Sequence, residues 1–287
     1  MSKPVKKITV FVVITFALSS AFYVLSIREN SVSKYAFPIM WCPGIAAIVT
    51  QLIFERSLRD MGWKFRPIKY QLASYLTPLA YVLVAYLLLW SSGLGRFAPK
   101  DIQQVVSGQL NLPESLSLPA FVLIYFLVVA TLVVLTSMIT ALGEEIGWRG
   151  LLVPELAKIT SYSKTSLISG IIWAVYHMPV LLFADYNNEG SPVWYSLICF
   201  TIMVIAICFA FTWLRLKSGS LWTAAILHAA HNAFIQAFFT PMTADTGYTA
   251  YFIDEFGLLL VLTTVIAGTI FWRKRNELPT TGAVVAS

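Results

Sequence analysis

Eight long apolar stretches constrain the fold of this chain more than any other feature of its sequence. Each is about twenty residues long, the length that a helix needs to cross about 30 Å of hydrocarbon. In hydrocarbon the backbone must satisfy its own hydrogen bonds, so such stretches form helices. The sequence therefore predicts an all-α, polytopic membrane helix bundle with about eight transmembrane helices. The predicted spans are residues 8–27, 36–54, 71–92, 119–143, 165–183, 193–214, 220–239 and 256–272.

The composition excludes a water-soluble globule. Hydrophobic residues make up 58% of the chain and charged residues 12%, whereas soluble domains contain about 25% charged residues. No repeat or flexible linker divides the sequence. We therefore expect one membrane-embedded domain over residues 1–272, with the chemically interesting motifs in residues 140–235. A short basic tail, residues 273–287, is expected to be disordered and cytoplasmic.

The basic residues predict the orientation of the bundle. With the N-terminus in the cytoplasm, sixteen of the twenty Lys and Arg residues fall on the inner side. The remaining four are Arg28, Lys34, Arg96 and Lys100. This asymmetry predicts that both termini are cytoplasmic. The expected location is the plasma membrane, in a multi-pass arrangement. The asymmetry also accounts for the net charge of +6, so the bilayer is the expected partner and nucleic acid is not.

Three ionisable residues follow the fourth apolar stretch: Glu144, Glu145 and Arg149. A charge inside a spanning segment costs about 2.5–3.5 kcal/mol, so the group calls for a reason beyond anchoring. Glu145 and Arg149 are four residues apart, the spacing of an ion pair on one helix face, and are predicted to support the helix end. Glu144 lies about 100° further round the helix and is left as a candidate general base.

The three histidines of the chain also lie in apolar stretches. His177 is in the fifth stretch, and His228 shares one face of the seventh with Asn232, four residues later. His231 and Trp173 are second-rank candidates. Counted from the helix ends, these residues and Glu144 fall in the cytoplasmic half of the bilayer. Their predicted depths do not match closely, so a helix tilt or a shifted boundary would be needed to align them.

Two chemistries fit this set of side chains. In one, Glu144 activates a water with help from His177, while His228 and Asn232 donate hydrogen bonds to a developing oxyanion. In the other, Glu144, His177 and His228 bind a zinc ion that lowers the pKa of a bound water. No HExxH motif occurs, so the common zinc-protease arrangement is absent. The residues alone do not separate the two mechanisms.

The order and spacing of these motifs resemble the CAAX prenyl protease and bacteriocin-processing family, also called the Abi family of intramembrane proteases. The phrases ALGEEIGWRGLLVPEL and GSLWTAAILHAAHN carry the resemblance, together with Trp173 four residues before His177. Family members usually have phenylalanine at the position of Trp173.

The resemblance implies an eight-helix membrane bundle that hydrolyses peptide bonds. It implies that Glu144 is the base, that His177 assists it, that His228 and Asn232 form the oxyanion site, and that Glu145 and Arg149 support them. The family name calls these enzymes metalloproteases, but a metal-free glutamate mechanism is the one we favour, with zinc as the alternative. The substrate implied is a membrane-associated peptide or protein, of the prenylated CAAX type or the bacteriocin type.

Two other functions remain open on the sequence. Intramembrane Glu, His and Arg residues also occur in proton relays, so an ion-coupled transporter is one alternative. The chain lacks the paired broken segments of many inverted-repeat carriers, which weighs against it. The other alternative is a catalytically silent bacteriocin-immunity or scaffold protein of the same fold.

Overall fold

The computed structural model describes residues 1–65, 67–113, 115–187 and 190–279. The protein is an all-α polytopic membrane bundle, apart from a two-residue antiparallel pairing of β1 (Arg96–Phe97) with β2 (Thr243–Ala244). The α-helices are α1 (Lys3–Glu29), α2 (Ala36–Glu55), α3 (Ile68–Ser91), α4 (Pro99–Leu110), α5 (Leu118–Val128), α6 (Val134–Glu145), α7 (Val153–Ala157), α8 (Tyr162–Phe183), α9 (Val193–Ser218), α10 (Trp222–Asn232) and α11 (Leu258–Arg273).

Shorter helical segments connect or extend these helices. Three are π-helical: Val129–Val133, Ile146–Leu152 and Ala233–Phe239. Three are 3₁₀-helical: Arg59–Met61, Thr249–Tyr251 and Lys274–Glu277.

Six helices of the described chain are long and apolar enough to cross a membrane. They correspond to the first six predicted spans. The seventh and eighth coincide with α10 and its π-helical extension and with α11, which is 16 residues long. The predicted count of eight spans and the cytoplasmic termini stay predictions. Large apolar side chains such as Leu83, Leu87 and Leu135 are exposed on the outside of the bundle, as expected of surfaces that face lipid.

The fourth predicted span differs from the structure in its length. The predicted span covers residues 119–143, and the helix is expected to end close to the pair of Glu145 and Arg149, but one continuous helical stretch runs over Leu118–Ala157. The two π-helical segments Val129–Val133 and Ile146–Leu152 join α5, α6 and α7 within it. Pro154 lacks an N–H, and its ring clashes with the carbonyl four residues earlier in a regular α-helix. A wider helical turn just before it accommodates the ring, so the helix continues beyond the pair of Glu145 and Arg149.

The predicted basic tail also differs in part. Residues 273–279 are described, and they form the end of α11 and the turn Lys274–Glu277 rather than disordered chain. The indole of Trp213 donates to the carbonyl of Lys274 at 2.9 Å, which holds this turn against α9. Residues 280–287 lie outside the described residues.

Two glycines let α2 approach the long helix at backbone distance. A Cβ on Gly143 would lie 2.8 Å from the carbonyl oxygen of Met40, and a Cβ on Gly147 would lie 2.6 Å from Cβ of Pro43. Their spacing is the GxxxG pattern of close helix packing in membranes. This contact fixes the height and rotation of the intervening Glu144 and Glu145 relative to α2.

A buried ion-pair network ties the beginning of α1 to the rest of the bundle. Lys7 is 2% exposed, and its Nζ contacts Oε1 of Glu155 at 2.5 Å and Oε1 of Glu55 at 3.1 Å. The same Nζ donates to Gln51, and Lys158 contacts Glu155 from the other side. The network joins α1, α2 and α7, and it surrounds the Glu155 carboxylate with cations.

Candidate active site

The six motif residues lie together, in and behind one cavity of about 150 Å³. Glu144, His177, His228 and Asn232 line it, and the second-rank residues Trp173 and His231 line it as well. Glu145 and Arg149 lie directly behind this wall, each 0% exposed. The rest of the lining is mostly apolar, so the polar groups that a substrate would meet in the cavity are mainly these motif side chains.

The continuous helix removes the mismatch in depth that the sequence suggested. Glu144 lies about 20 Å along the helix from Ala157, and His177 lies about 22 Å along α8 from Tyr162, at 1.5 Å per residue. The two side chains therefore sit at similar heights. A π-helical turn begins directly after Glu145, and another begins directly after Asn232. Such turns occur often at functional sites.

Glu144 is held by two indole N–H groups. Trp148 donates to its Oε2 at 2.9 Å, and Trp173 donates to the same oxygen at 2.6 Å. The carboxylate is 2% exposed. Both hydrogen bonds go to Oε2, and none from the described residues goes to Oε1, which can therefore accept from a group in the cavity. The geometry therefore presents one oxygen of a fixed carboxylate as an acceptor.

Trp173 explains a departure that the sequence showed. A phenylalanine at this position, as is usual in the resembled family, would carry no N–H for Glu144. Trp148 was not among the predicted site residues, although it is four residues from Glu144. That spacing alone could have identified it as a neighbour on the same helix face.

Glu145 has two partners instead of the one that the sequence predicted. Arg149 Nη1 contacts both of its carboxylate oxygens, at 2.9 and 3.1 Å, which matches the predicted pair. His228 Nδ1 also lies 2.9 Å from Oε1 of Glu145. A carboxylate paired with Arg149 accepts hydrogen bonds, so His228 Nδ1 carries the hydrogen. Glu145 thus fixes the orientation of His228 as well as the helix.

Arg149 is clamped between two aromatic rings. Its guanidinium carbon lies 4.4 Å from the centroid of Trp173 and 3.9 Å from that of Phe211. Its Nη2 contacts Sγ of Cys208 at 3.1 Å, and its carbonyl accepts from Nε of Arg215 at 2.7 Å. These contacts hold the cation that neutralises Glu145 in a site without exposure to water.

His177 has one nitrogen engaged by the backbone. Its Nδ1 lies 2.9 Å from the carbonyl oxygen of Trp173, one helical turn earlier. A carbonyl only accepts, so Nδ1 carries the hydrogen and Nε2 is an acceptor in the neutral ring. His177 is partly exposed, unlike Glu144, and it lines the same cavity. An acceptor nitrogen near the Glu144 carboxylate suits a role in orienting a water.

His231 is engaged at both nitrogens. Its Nδ1 lies 2.5 Å from the hydroxyl of Tyr81, and its Nε2 lies 3.2 Å from Oε1 of Glu255. Neither Tyr81 nor Glu255 was predicted as a site residue. Glu255 is more than a hundred residues from Glu144 in sequence, and no local pattern marks it as a neighbour. Asn232, the next residue after His231, lines the cavity without being fully buried.

The predicted zinc ligands are Glu144, His177 and His228. Across the described ranges, no group of three or more His, Cys, Asp or Glu side chains is arranged to hold a metal ion. Nδ1 of His177 faces a carbonyl and Nδ1 of His228 faces Glu145. Oε2 of Glu144 accepts hydrogen bonds from two indole N–H groups. The zinc alternative stays a prediction.

Comparison with known proteins gives two matches. A family model described as "Type II CAAX prenyl endopeptidase Rce1-like" matches residues 114–234, a range that contains all the motif residues named above. CAAX prenyl protease 2 of Methanococcus maripaludis is 29% identical over 133 residues, which are 45% of this chain and 46% of the relative. The match thus spans less than half of the relative's length. Together with the motif order, these partial matches support the resemblance of the chain to the CAAX prenyl protease and bacteriocin-processing family.

Proposed function

We propose that this integral membrane protein is an endopeptidase that hydrolyses a peptide bond of a membrane-associated substrate. One observation carries the proposal: a fixed carboxylate with one unengaged oxygen, Glu144, shares a small cavity with His177, His228 and Asn232. These are the residue types that water activation and oxyanion stabilisation require.

The reaction begins with a water between Oε1 of Glu144 and Nε2 of His177. Both atoms accept hydrogen bonds, so they orient the two hydrogens of the water and turn its oxygen lone pair toward the scissile carbonyl. Glu144 takes one proton as the oxygen attacks the carbonyl carbon. The carbon–oxygen double bond becomes a single bond, and the negative charge collects on the former carbonyl oxygen.

His228 and Asn232 stabilise that oxygen. Asn232 donates through its amide. Because Nδ1 of His228 already donates to Glu145, its Nε2 donates to the oxyanion when the ring is the imidazolium, and Glu145 favours that form electrostatically. Each such donor contributes about 2.7–4 kcal/mol in comparable sites. When the intermediate collapses, the carbon–nitrogen bond breaks and Glu144 returns its proton to the leaving amine.

The substrate class proposed is a prenylated CAAX-type or bacteriocin-type peptide. It rests on the names of the matched family model and relative, and on the apolar lining of the cavity, which includes Met203, Val204 and Ile207. The charge asymmetry of the loops supports cleavage on the cytoplasmic side, with both termini inside. The membrane proposed is the plasma membrane.

The decisive experiment is cleavage by the purified protein in lipid. Wild type and Glu144→Gln are incubated with a farnesylated CAAX peptide, its unprenylated counterpart and a panel of membrane peptides, with and without chelator. Mass spectrometry identifies the products. We expect one cut site, chelator-resistant cleavage by wild type and none by the variant.

Cleavage that survives in Glu144→Gln would show that the base is wrongly assigned. Chelator-sensitive cleavage restored by zinc would support the metal mechanism instead. Ion flux in proteoliposomes without any cleavage would favour the transporter, and neither activity would favour the silent immunity or scaffold protein.

A further inference from the structure

Glu255 is a second buried carboxylate in the cavity, and the mechanism above gives it no role. It is 3% exposed and lines the cavity together with Glu144. Within the described part of the chain, its ion-pair contact is to His231 and not to a Lys or Arg. Burying a carboxylate is costly unless hydrogen bonds compensate for the lost water. Its position therefore calls for a reason.

Three side chains approach the two oxygens of Glu255. The hydroxyl of Tyr186 donates to Oε2 at 2.8 Å. Gln236 Nε2 and His231 Nε2 approach Oε1 at 3.3 and 3.2 Å. The shortest of these contacts therefore leads to Tyr186, which also lines the cavity.

Tyr186 connects Glu255 to His177. The two rings are stacked, with centroids 5.9 Å apart and planes at 28°. Phe200 touches both, with its centroid 5.1 Å from that of His177 and 5.8 Å from that of Tyr186. On the other side, Nδ1 of His177 faces the carbonyl of Trp173. The plane of the imidazole, and hence the direction of its free Nε2, is set between these contacts.

Tyr186 itself lies outside the helices, in the connection between α8 and α9. A helix therefore does not fix its ring. The ring packs edge-on against Phe256, with centroids 5.2 Å apart, and the bond to Glu255 fixes the hydroxyl. We propose that Tyr186 and Glu255 are a positioning pair that fixes the imidazole of His177 for water activation. The proposal rests on the proposed function, since it assigns the pair to the same reaction.

Graded replacements test the pair. Tyr186→Phe removes one hydroxyl and keeps the ring. We expect kcat to fall roughly tenfold with KM within about twofold, because small misplacements at a reacting centre can cost up to about a hundredfold. Glu255→Ala should match it. Glu255→Gln, whose amide oxygen still accepts from Tyr186, should recover most of the loss. The double variant Tyr186→Phe with Glu255→Ala should be no worse than the worse single variant.

A second measurement does not depend on activity. The chain contains three histidines, so ring-labelled histidine gives few NMR signals, and His177→Gln assigns one of them. Tyr186→Phe and Glu255→Ala should both shift or broaden the His177 signal and leave that of His228 in place. Tyr195→Phe is the matched control, because its hydroxyl donates to the carbonyl of Tyr251 and it does not line the cavity.

An unchanged His177 signal in both variants would overturn the positioning pair, even if wild type cleaves peptides. A loss of kcat equally large in Tyr195→Phe would reduce the effect to general destabilisation. If wild type cleaves nothing but the His177 signal moves as expected, the proposed function fails and the coupling of Tyr186 and Glu255 to His177 stands.

Discussion

Glu155 and Glu144 are both buried in the same continuous helical stretch, but their surroundings differ. Glu155 contacts two lysines, Lys7 at 2.5 Å and Lys158 at 2.8 Å. Glu144 receives two neutral indole N–H groups on one oxygen, and its other oxygen faces a cavity. Two lysines tie the Glu155 carboxylate into a structural network, whereas two neutral donors on one oxygen leave the other oxygen of Glu144 available as an acceptor. The difference separates a structural acid from a candidate catalytic one.

Glu144→Gln should give the largest effect on activity. The amide keeps the size of the side chain but cannot take a proton, so kcat should fall by about 10²–10⁴-fold. The measurement is kcat on the cleaved peptide, beside the thermal midpoint of unfolding. The midpoint should move by only a few degrees, because no cation loses its partner. A large loss of stability with unchanged kcat would show that Glu144 is a structural acid and not the catalytic base.

Glu155→Gln should have the opposite profile. Removing one partner of a buried ion pair costs about 3–5 kcal/mol, because Lys7 remains buried with less compensation. We expect a clearly lower thermal midpoint and a nearly normal kcat at low temperature. Glu29→Gln is the control, because its ion pair with Lys34 is exposed and should contribute nothing measurable. Equal changes of the thermal midpoint in Glu155→Gln and Glu29→Gln would contradict the structural role assigned to Glu155.

Trp148→Phe tests the neutral donors of Glu144. Loss of one hydrogen bond to a charged group costs about 1.5–3 kcal/mol, which should appear mainly as a drop in kcat of about tenfold or more. Trp213→Phe removes a buried indole whose N–H donates to a carbonyl far from the cavity, so it serves as the control. If both variants lose stability equally and neither loses kcat, the indoles of Glu144 are packing groups.

Gly147→Ala should disturb both carboxylates through the helix that carries them. The added methyl would lie 2.6 Å from Pro43, so α2 and the long helix must separate at a cost of about 1–3 kcal/mol. Thermal midpoint and kcat should both fall. Gly108→Ala meets no atom within 4 Å and should leave both unchanged. A normal midpoint for Gly147→Ala would show that this backbone contact is looser than described.

Features that depend on residues close together in the sequence were predictable. The lengths of the apolar stretches predicted the membrane helix bundle, and the four-residue spacing predicted the pair of Glu145 with Arg149. The same spacing could have given Trp148. The predicted span 119–143 did not show how far its helix continues, because the interior of the bundle satisfies the charges that follow it and a π-helical turn precedes Pro154.

Contacts between distant helices were not predictable. The bond between Glu145 and His228 joins residues 83 apart, and Glu255 reaches the cavity from the connection before α11. A single sequence does not show which residues of distant helices lie close together in the fold. The depths of Glu144 and His177 also depended on a helix boundary that tertiary packing decides.

The Lys7 network has a consequence for the order in which the chain folds. Lys7 and Glu155 are 148 residues apart, while Gln51 and Glu55 follow Lys7 within 48 residues. During synthesis the lysine can find its partners on α2 long before Glu155 exists. A hairpin of α1 and α2 is then an early, partly compensated intermediate, and docking of the long helix closes the network late. Membrane insertion of this protein should therefore be most vulnerable to misfolding in the interval between those two events.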